Sequence, residues 1–159
     1  MAEGFITVIC GVLVFVLGQL FMELFLKPLQ RYKQLKSKLS YLLVKYYIQI
    51  INVRGAMNTV ILKDLDNESL NQLAFEGREQ LKEIAAELEG FLYEKWTVIN
   101  FMFAKPKNIE KVVNLLLQVS GRMISADRLV DKANENNKLD VLEIKRIMKL
   151  SNNNWYEQF

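Results

Sequence analysis

The sequence predicts an all-α protein in which a single transmembrane helix near the N-terminus continues into a cytoplasmic bundle of about four helices. Three observations predict this fold. An uncharged apolar run lies close to the start of the 159-residue chain, and apolar residues recur at spacings of three and four through much of the remainder. Only two prolines and seven glycines interrupt these patterns. The residues beyond the apolar run suffice for one modest domain but not for two.

The apolar run occupies residues 4–22, carries no charge, and extends to Leu26 if one carboxylate is admitted. About 20 apolar residues span the hydrocarbon layer as a helix. Core helices rarely run so long without charge. A cleaved signal peptide would have a basic start and an Ala-x-Ala-like exit, whereas this run follows Glu3 and exits through the residues ELFLKP. The sequence therefore predicts an uncleaved transmembrane helix over 4–26.

Positive charge is concentrated directly after this span. Residues 27–63 contain eight Lys or Arg and no acid, whereas residues 64–159 contain thirteen basic and sixteen acidic residues. Such a cluster marks the cytoplasmic side, so we expect a bacterial inner-membrane protein with its N-terminus outside. Each cation near anionic headgroups contributes roughly 1 kcal/mol; a nucleic acid or nucleotide is the alternative partner. We define the basic collar as Lys27, Arg31, Lys33, Lys36 and Lys38.

Small and polar residues within the span indicate a homo-oligomer. Gly4, Gly11 and Gly18 recur every seven residues, and a stripe of small residues lets helices approach closely in lipid. The alternative is that glycine is simply common in membrane helices. Gln19 and Glu23 share one face with Lys27, so Glu23 either lines a pore or pairs with Lys27. The predicted oligomer or pore face consists of Gly4, Gly11, Gly18, Gln19 and Glu23.

Residues 27–58 are predicted to form a basic juxtamembrane stalk helix and a turn. Pro28 can kink the helix where it leaves the membrane. The turn contains Arg54-Gly55 and ends near Asn58. The inward face of the stalk helix repeats at helical spacing through Leu35, Leu39, Leu42, Tyr46, Ile50 and Val53.

Residues 59–150 are predicted to form the cytoplasmic helical domain, beginning with a short apolar run at 59–65. Asp66 or Asn67 then caps a second helix. Its acidic outer face is interpreted as solvated. Its apolar face comprises Leu70, Leu73, Ala74, Leu81, Ile84, Leu88, Phe91 and Leu92.

The rest of this domain holds two more predicted helices. The apolar stretch 96–103 is too short to be typed by periodicity. Asn108 is expected to cap a third helix that runs to about Val130, with Ile109, Val112, Val113, Leu116, Val119, Met123 and Ile124 facing inward. A polar break at Asn134–Asn137 follows. Asp140 and Glu143 then form a capping box that opens a last helix, 141–150, and 151–159 form a tail.

The commonest general base, which is also the usual partner of a Ser or Cys nucleophile, is missing from the sequence. Histidine is absent, and the only cysteine, Cys10, lies in the span, so a disulfide within the chain and a cysteine-based metal site are excluded. No phosphate-binding loop or metalloprotease motif occurs. Glu83 and Glu87 are expected to be solvated rather than catalytic. We therefore predict a non-enzyme with no catalytic, cofactor-binding or metal residues.

The layout of the chain resembles the membrane accessory proteins of RNA-targeting bacterial CRISPR systems, whose soluble part is a divergent HEPN-type helical bundle. The resemblance rests on the span 4–26, the collar 27–38 and the late helix 107–130. It implies pore formation in antiviral defence, triggered by a defence-system protein or by a nucleotide or RNA. HEPN ribonucleases place a His shortly after an Arg, and neither Arg122 nor Arg128 has one, so nuclease activity is not implied. The alternative function is a non-catalytic membrane anchor, adaptor or nucleotide-signal sensor.

Overall fold

The computed structural model describes residues 2–55, 65–94, 106–125 and 130–150, and it confirms the predicted all-α class. The helices are Ala2–Phe21 (α1), a π-helical turn at Met22–Leu26, Lys27–Lys45 (α2), Tyr47–Ile51 (α3), Leu65–Glu94 (α4), Pro106–Arg122 (α5) and Val130–Met148 (α6). Regular extended structure in these ranges is limited to Arg54–Gly55 (β1) and Ile124–Ser125 (β2), which pair in parallel.

The chain divides into two compact units, Met1–Gln34 and Leu35–Phe159, which we call the N-terminal and C-terminal units. The division falls inside α2, in the middle of the predicted stalk helix. The physical reason is the apolar face that starts at Leu35. From there on, α2 and α3 bury the predicted inward stripe in the C-terminal unit, so this part of the stalk belongs to the helical domain.

The core of the C-terminal unit is built from the faces that helical periodicity predicts. The six inward residues of the stalk, from Leu35 to Val53, are all buried. On α5, the predicted inward residues from Ile109 to Val119 and the following Met123 are buried as well. On α4, the residues from Leu81 to Leu92 of the predicted face are buried, whereas Leu73 is exposed. Helix α5 packs between α4 and α6, and α3 contacts both α4 and α6.

A π-helical turn carries the backbone from α1 into α2. The Lys27 N–H donates to the Met22 carbonyl, five residues back. A regular α-helix would set the ring of Pro28 against the Leu24 carbonyl and leave that carbonyl without an N–H partner. The π-helical turn is wider than an α-helical turn and lies just before this proline. It accommodates the proline ring and the missing N–H within the helix.

Three predicted boundaries in the C-terminal unit are wrong. The second helix begins at Leu65, so neither Asp66 nor Asn67 caps it. The third helix starts at Pro106 rather than after Asn108, because proline tolerates the first helical position, and it ends at Arg122. The last helix begins at Val130 and runs through the predicted polar break without interruption. The break fails as a prediction because Asn137 is fully buried and bonded to neighbouring elements.

Several predicted features lie outside the described residues. These are the end of the turn near Asn58, the run at 59–64, the apolar stretch 96–103 and the tail 151–159.

Candidate functional site: an apolar helix and its basic collar

The helix that starts the chain is long and apolar enough to cross a membrane. An 18-residue window of this helix passes that test, and none of it is buried. Large side chains such as Val14, Phe15 and Leu17 are exposed by more than 60%. A core helix of a soluble protein with the same composition would be mostly covered. An exposed apolar surface of this extent is typical of helices that contact lipid or another protein.

The predicted glycine stripe is open on the surface of α1. A Cβ atom built at Gly4, Gly11 or Gly18 would meet nothing within 4 Å. The stripe thus leaves room for the backbone of another helix to approach closely.

The carboxylate of the predicted oligomer or pore face has a partner within its own helix. Lys27 Nζ donates a hydrogen bond to Glu23 Oε1, and both side chains are 61% exposed. Gln19, one turn earlier, is exposed. The pair between Glu23 and Lys27 is one of the two arrangements that the sequence leaves open. Such a pair lowers the cost of placing a carboxylate at the edge of the hydrocarbon layer.

The five collar residues have different surroundings. Lys33 is exposed, as is Arg31, which has interactions of its own. Lys36 Nζ lies 3.4 Å from the Lys149 carbonyl oxygen and donates to it. The collar is therefore not a uniform set of solvated cations.

Lys38, the last collar residue, is held by the acidic face of α4. Its ammonium lies 2.6 Å from Glu87 Oε1 and 3.2 Å from Glu83 Oε1. The hydrogen bond to Glu87, assisted by Glu83, holds the pKa of Lys38 above its usual value. Lys38 thus joins α2 to α4 within the C-terminal unit, where an anionic lipid would have to compete with two carboxylates.

A second contact of the same kind lies seven residues further along α2. Glu76 Oε1 accepts hydrogen bonds from the Tyr46 hydroxyl at 2.5 Å and from Lys45 Nζ at 3.0 Å. These two donors, Tyr46 first, lower the pKa of Glu76. This antiparallel pairing of α2 with α4 was not predicted from the sequence. The signal available was the matching seven-residue spacing of Lys38 and Lys45 with Glu83 and Glu76.

Arg122, one of the two arginines that lack a following histidine, takes part in a polar cluster that joins three helices. Arg122 Nε donates to Asn137 Oδ1 at 3.0 Å, and its Nη2 donates to Asp140. Asn137 Nδ2 in turn donates to the Ile50 carbonyl at 2.8 Å. Asp140 therefore pairs with Arg122 and does not open a helix as the predicted capping box. The cluster fastens the end of α3 to α5 and α6.

The described ranges offer little for binding a metal ion or a phosphate-bearing ligand. No three His, Cys, Asp or Glu side chains are grouped there so that they could hold a metal ion. A groove of about 310 Å³ runs between α4 and α5, and its described lining includes the carboxylates of Glu89 and Glu110. Two carboxylates disfavour a phosphate-bearing ligand at that position.

Comparison with known proteins identifies no relative. No family model matches this chain, and neither a curated protein nor a solved structure matches it.

Proposed function

We propose that this protein is a membrane-anchored homo-oligomer whose apolar helix crosses the bacterial inner membrane and whose helical bundle faces the cytoplasm. The observation that carries the proposal is the apolar surface of α1, no part of whose 18-residue apolar window is buried. Its favoured environment is lipid, because water would hydrate that surface at a large cost in free energy. The basic residues that follow it support an orientation with the N-terminus outside.

The proposed activity is perturbation of the membrane, by a pore or a related assembly, when the cytoplasmic domain is triggered in antiviral defence. The open glycine stripe on α1 supports close helix association. The layout shared with CRISPR membrane accessory proteins supports the defence context. A defence-system protein, or a nucleotide or RNA, would act as the trigger from the cytoplasmic side.

Membrane insertion and orientation are tested by labelling single cysteines. The full chain carries only Cys10, so Cys10→Ser gives a cysteine-free background. Glu3→Cys and Glu135→Cys are then introduced separately. We expect the protein to stay with the membrane in alkaline carbonate, Glu3→Cys to react with an impermeant maleimide from outside, and Glu135→Cys to react only after lysis. A carbonate-soluble protein, or the reverse labelling pattern, would refute the anchored orientation.

Self-association and its consequence are tested by replacing two glycines. Gly11→Leu with Gly18→Leu should reduce the oligomer observed in mild detergent and should abolish membrane depolarisation when the protein is overproduced. Leu13→Val with Val16→Leu serves as the matched control, because both positions lie on the opposite face of the same helix and the exchange leaves the stripe unfilled. If assembly and depolarisation both survive the glycine replacements, the stripe is incidental and the mechanism loses its main support.

A second function, a passive anchor or adaptor that holds a partner or a nucleotide signal at the membrane, is favoured by one observation. The carboxylate of Glu23 is already paired with Lys27 inside a single helix, so no pore lining is needed to satisfy it. Replacing residues 4–26 with an unrelated membrane span separates the two functions. The anchor keeps its activity after this exchange, whereas the membrane-perturbing protein loses it.

A further inference from the structure

Helix α2 carries two apolar faces in the C-terminal unit, and only one of them is buried. The buried face includes Leu35, Leu39 and Leu42. The other face holds Tyr41 and Val44 and continues to Ile48 on α3; these side chains are 63%, 52% and 64% exposed. Helix α4 contacts α2 through the ion pairs of Lys38 and Lys45, and α3 packs on α4 and α6. The second face is left uncovered by the described part of the chain.

The uncovered residues follow the spacing of a coiled-coil seam. Ser37, Tyr41, Val44 and Ile48 are separated by four, three and four residues, and all are exposed. This alternation places side chains at successive a and d positions of a heptad. Tyr46, between α2 and α3, leaves the helical region with φ −104° and ψ 16°, while the Tyr46 N–H still donates to the Leu42 carbonyl and the Ile50 N–H to the Tyr46 carbonyl. We call Ser37, Tyr41, Val44 and Ile48 the outer seam.

We propose that the outer seam pairs in parallel with the outer seam of a second copy of this chain. This inference rests on the proposed function, because insertion of every copy in the same orientation makes the stalk helices parallel. Membrane tethering also raises the effective concentration of the seams, so three apolar side chains per copy can suffice where a soluble dimer would need a larger interface.

The charges beside the seam fit a second copy. In a parallel pair, the e position of one helix faces the g position of the other. The e positions here are Lys38 and Lys45, which would repel a basic neighbour such as Lys33 at g. Both are already paired, Lys38 with Glu83 and Glu87 and Lys45 with Glu76. The carboxylates of α4 thus neutralise the flank that a second α2 would approach.

The test is cysteine cross-linking of the full chain in native membranes, in the Cys10→Ser background. Single cysteines are placed at positions 37, 40, 41, 44 and 48, and disulfide formation is driven by a mild oxidant. We expect cross-linked dimers at the seam positions, with a minimum at position 40, which flanks the seam. Glu135→Cys on the exposed face of α6 is the control for random collision. Cross-linking without this periodicity, or none above the control, would overturn the pairing.

A second measurement guards against cysteine variants that disturb the fold. Val44→Glu with Ile48→Glu should weaken dimerisation in detergent by about tenfold or more, which corresponds to 1.4 kcal/mol, while helical content and the Tm stay close to those of the parent. An unchanged dimer affinity would also overturn the proposal.

The outcome is separable from that of the proposed function. If the protein is carbonate-resistant and oligomeric through its span but shows no periodic cross-links, only the seam is refuted. If a photoreactive lipid labels positions 41, 44 and 48 and no cross-links form, the outer seam contacts the membrane surface and not a second copy. If the protein is not in the membrane, the proposed function fails first.

Discussion

The ring of Tyr46 packs directly on the backbone of Gly77, so that a Cβ atom at Gly77 would lie 2.8 Å from Cγ and Cδ1 of the ring. Tyr46 is itself 1% exposed and its hydroxyl is fixed by Glu76. The ring therefore cannot move away without losing both its packing and its hydrogen bond. This contact sets how closely α4 approaches the junction of α2 and α3.

Gly77→Ala should consequently destabilise the protein by about 1–3 kcal/mol through overpacking. Gly90→Ala on the same helix is the matched control, because a Cβ atom there meets nothing within 4 Å; it should stabilise by about 0.5–1 kcal/mol through helix propensity. Thermal unfolding of the full chain in mild detergent, followed by circular dichroism, measures both. Equal and stabilising effects at the two glycines would contradict the close packing described here.

A substitution at the C-terminus of α6 is predicted to raise the stability of the fold. Lys149 has a φ of 49°, the left-handed region that favours glycine. The Leu150 N–H donates to the Lys145 carbonyl and the Lys149 N–H to the Arg146 carbonyl, which is the hydrogen-bond pattern of a Schellman motif. Lys149→Gly should raise stability by about 1 kcal/mol, because it removes the steric cost of a side chain in this conformation.

Lys149→Ala is the control for the loss of the lysine side chain. It keeps a Cβ atom and should bring no such gain in the same unfolding assay. The carbonyl that Lys36 binds belongs to the backbone, so both variants retain it. A gain of equal size with alanine would mean that the side chain, not the backbone conformation, limits stability.

Asn137 is expected to be the most sensitive polar residue of α6. Asn137→Ala leaves the Ile50 carbonyl and Arg122 Nε without their partner, and an unsatisfied buried group costs about 1–3 kcal/mol. Glu135→Ala, two residues away and exposed, should change stability by less than about 0.5 kcal/mol. The midpoints of urea unfolding compare the two variants. A neutral effect of Asn137→Ala would show that the polar cluster does not contribute to stability.

Acid sensitivity is predicted at Glu143, which joins α6 to α5. Its Oε1 lies 2.7 Å from both Arg146 Nη2 and Lys111 Nζ. These contacts, Arg146 first, lower the pKa of Glu143 from its usual 4.5 to about 2. Because the folded pKa lies below the unfolded one, the pair stabilises the fold fully above about pH 4.5. This contribution is lost as the pH falls toward about 2.

Glu143→Gln should therefore lower the Tm at neutral pH and reduce its decline between pH 4.5 and 2, relative to the parent chain. High salt should shrink the difference, since the pair is near the surface. Parallel Tm profiles for parent and variant across this range would argue against the pairing.

Several parts of the fold follow from side-chain pattern alone. The apolar span at 4–26 and the inward faces of α2 and α5 were predicted residue by residue, because burial of apolar groups at helical spacing is a local property of the sequence. The exposed glycine stripe and the collar positions could likewise be identified from spacing. The pairing of these charges could not.

The partners of the polar residues are determined by the tertiary structure. Asn134 and Asn137 look like a helix break in sequence, yet Asn134 Oδ1 accepts the Val53 N–H at 2.6 Å and Asn137 binds the Ile50 carbonyl. Lys38 looks like a membrane-surface cation, yet it lies between two carboxylates of α4. An amide or an ammonium has the same local pattern whether water or a distant helix satisfies it. Sequence determined which segments are helical and which faces are apolar, and only the packing of distant segments determined which polar groups hold them together.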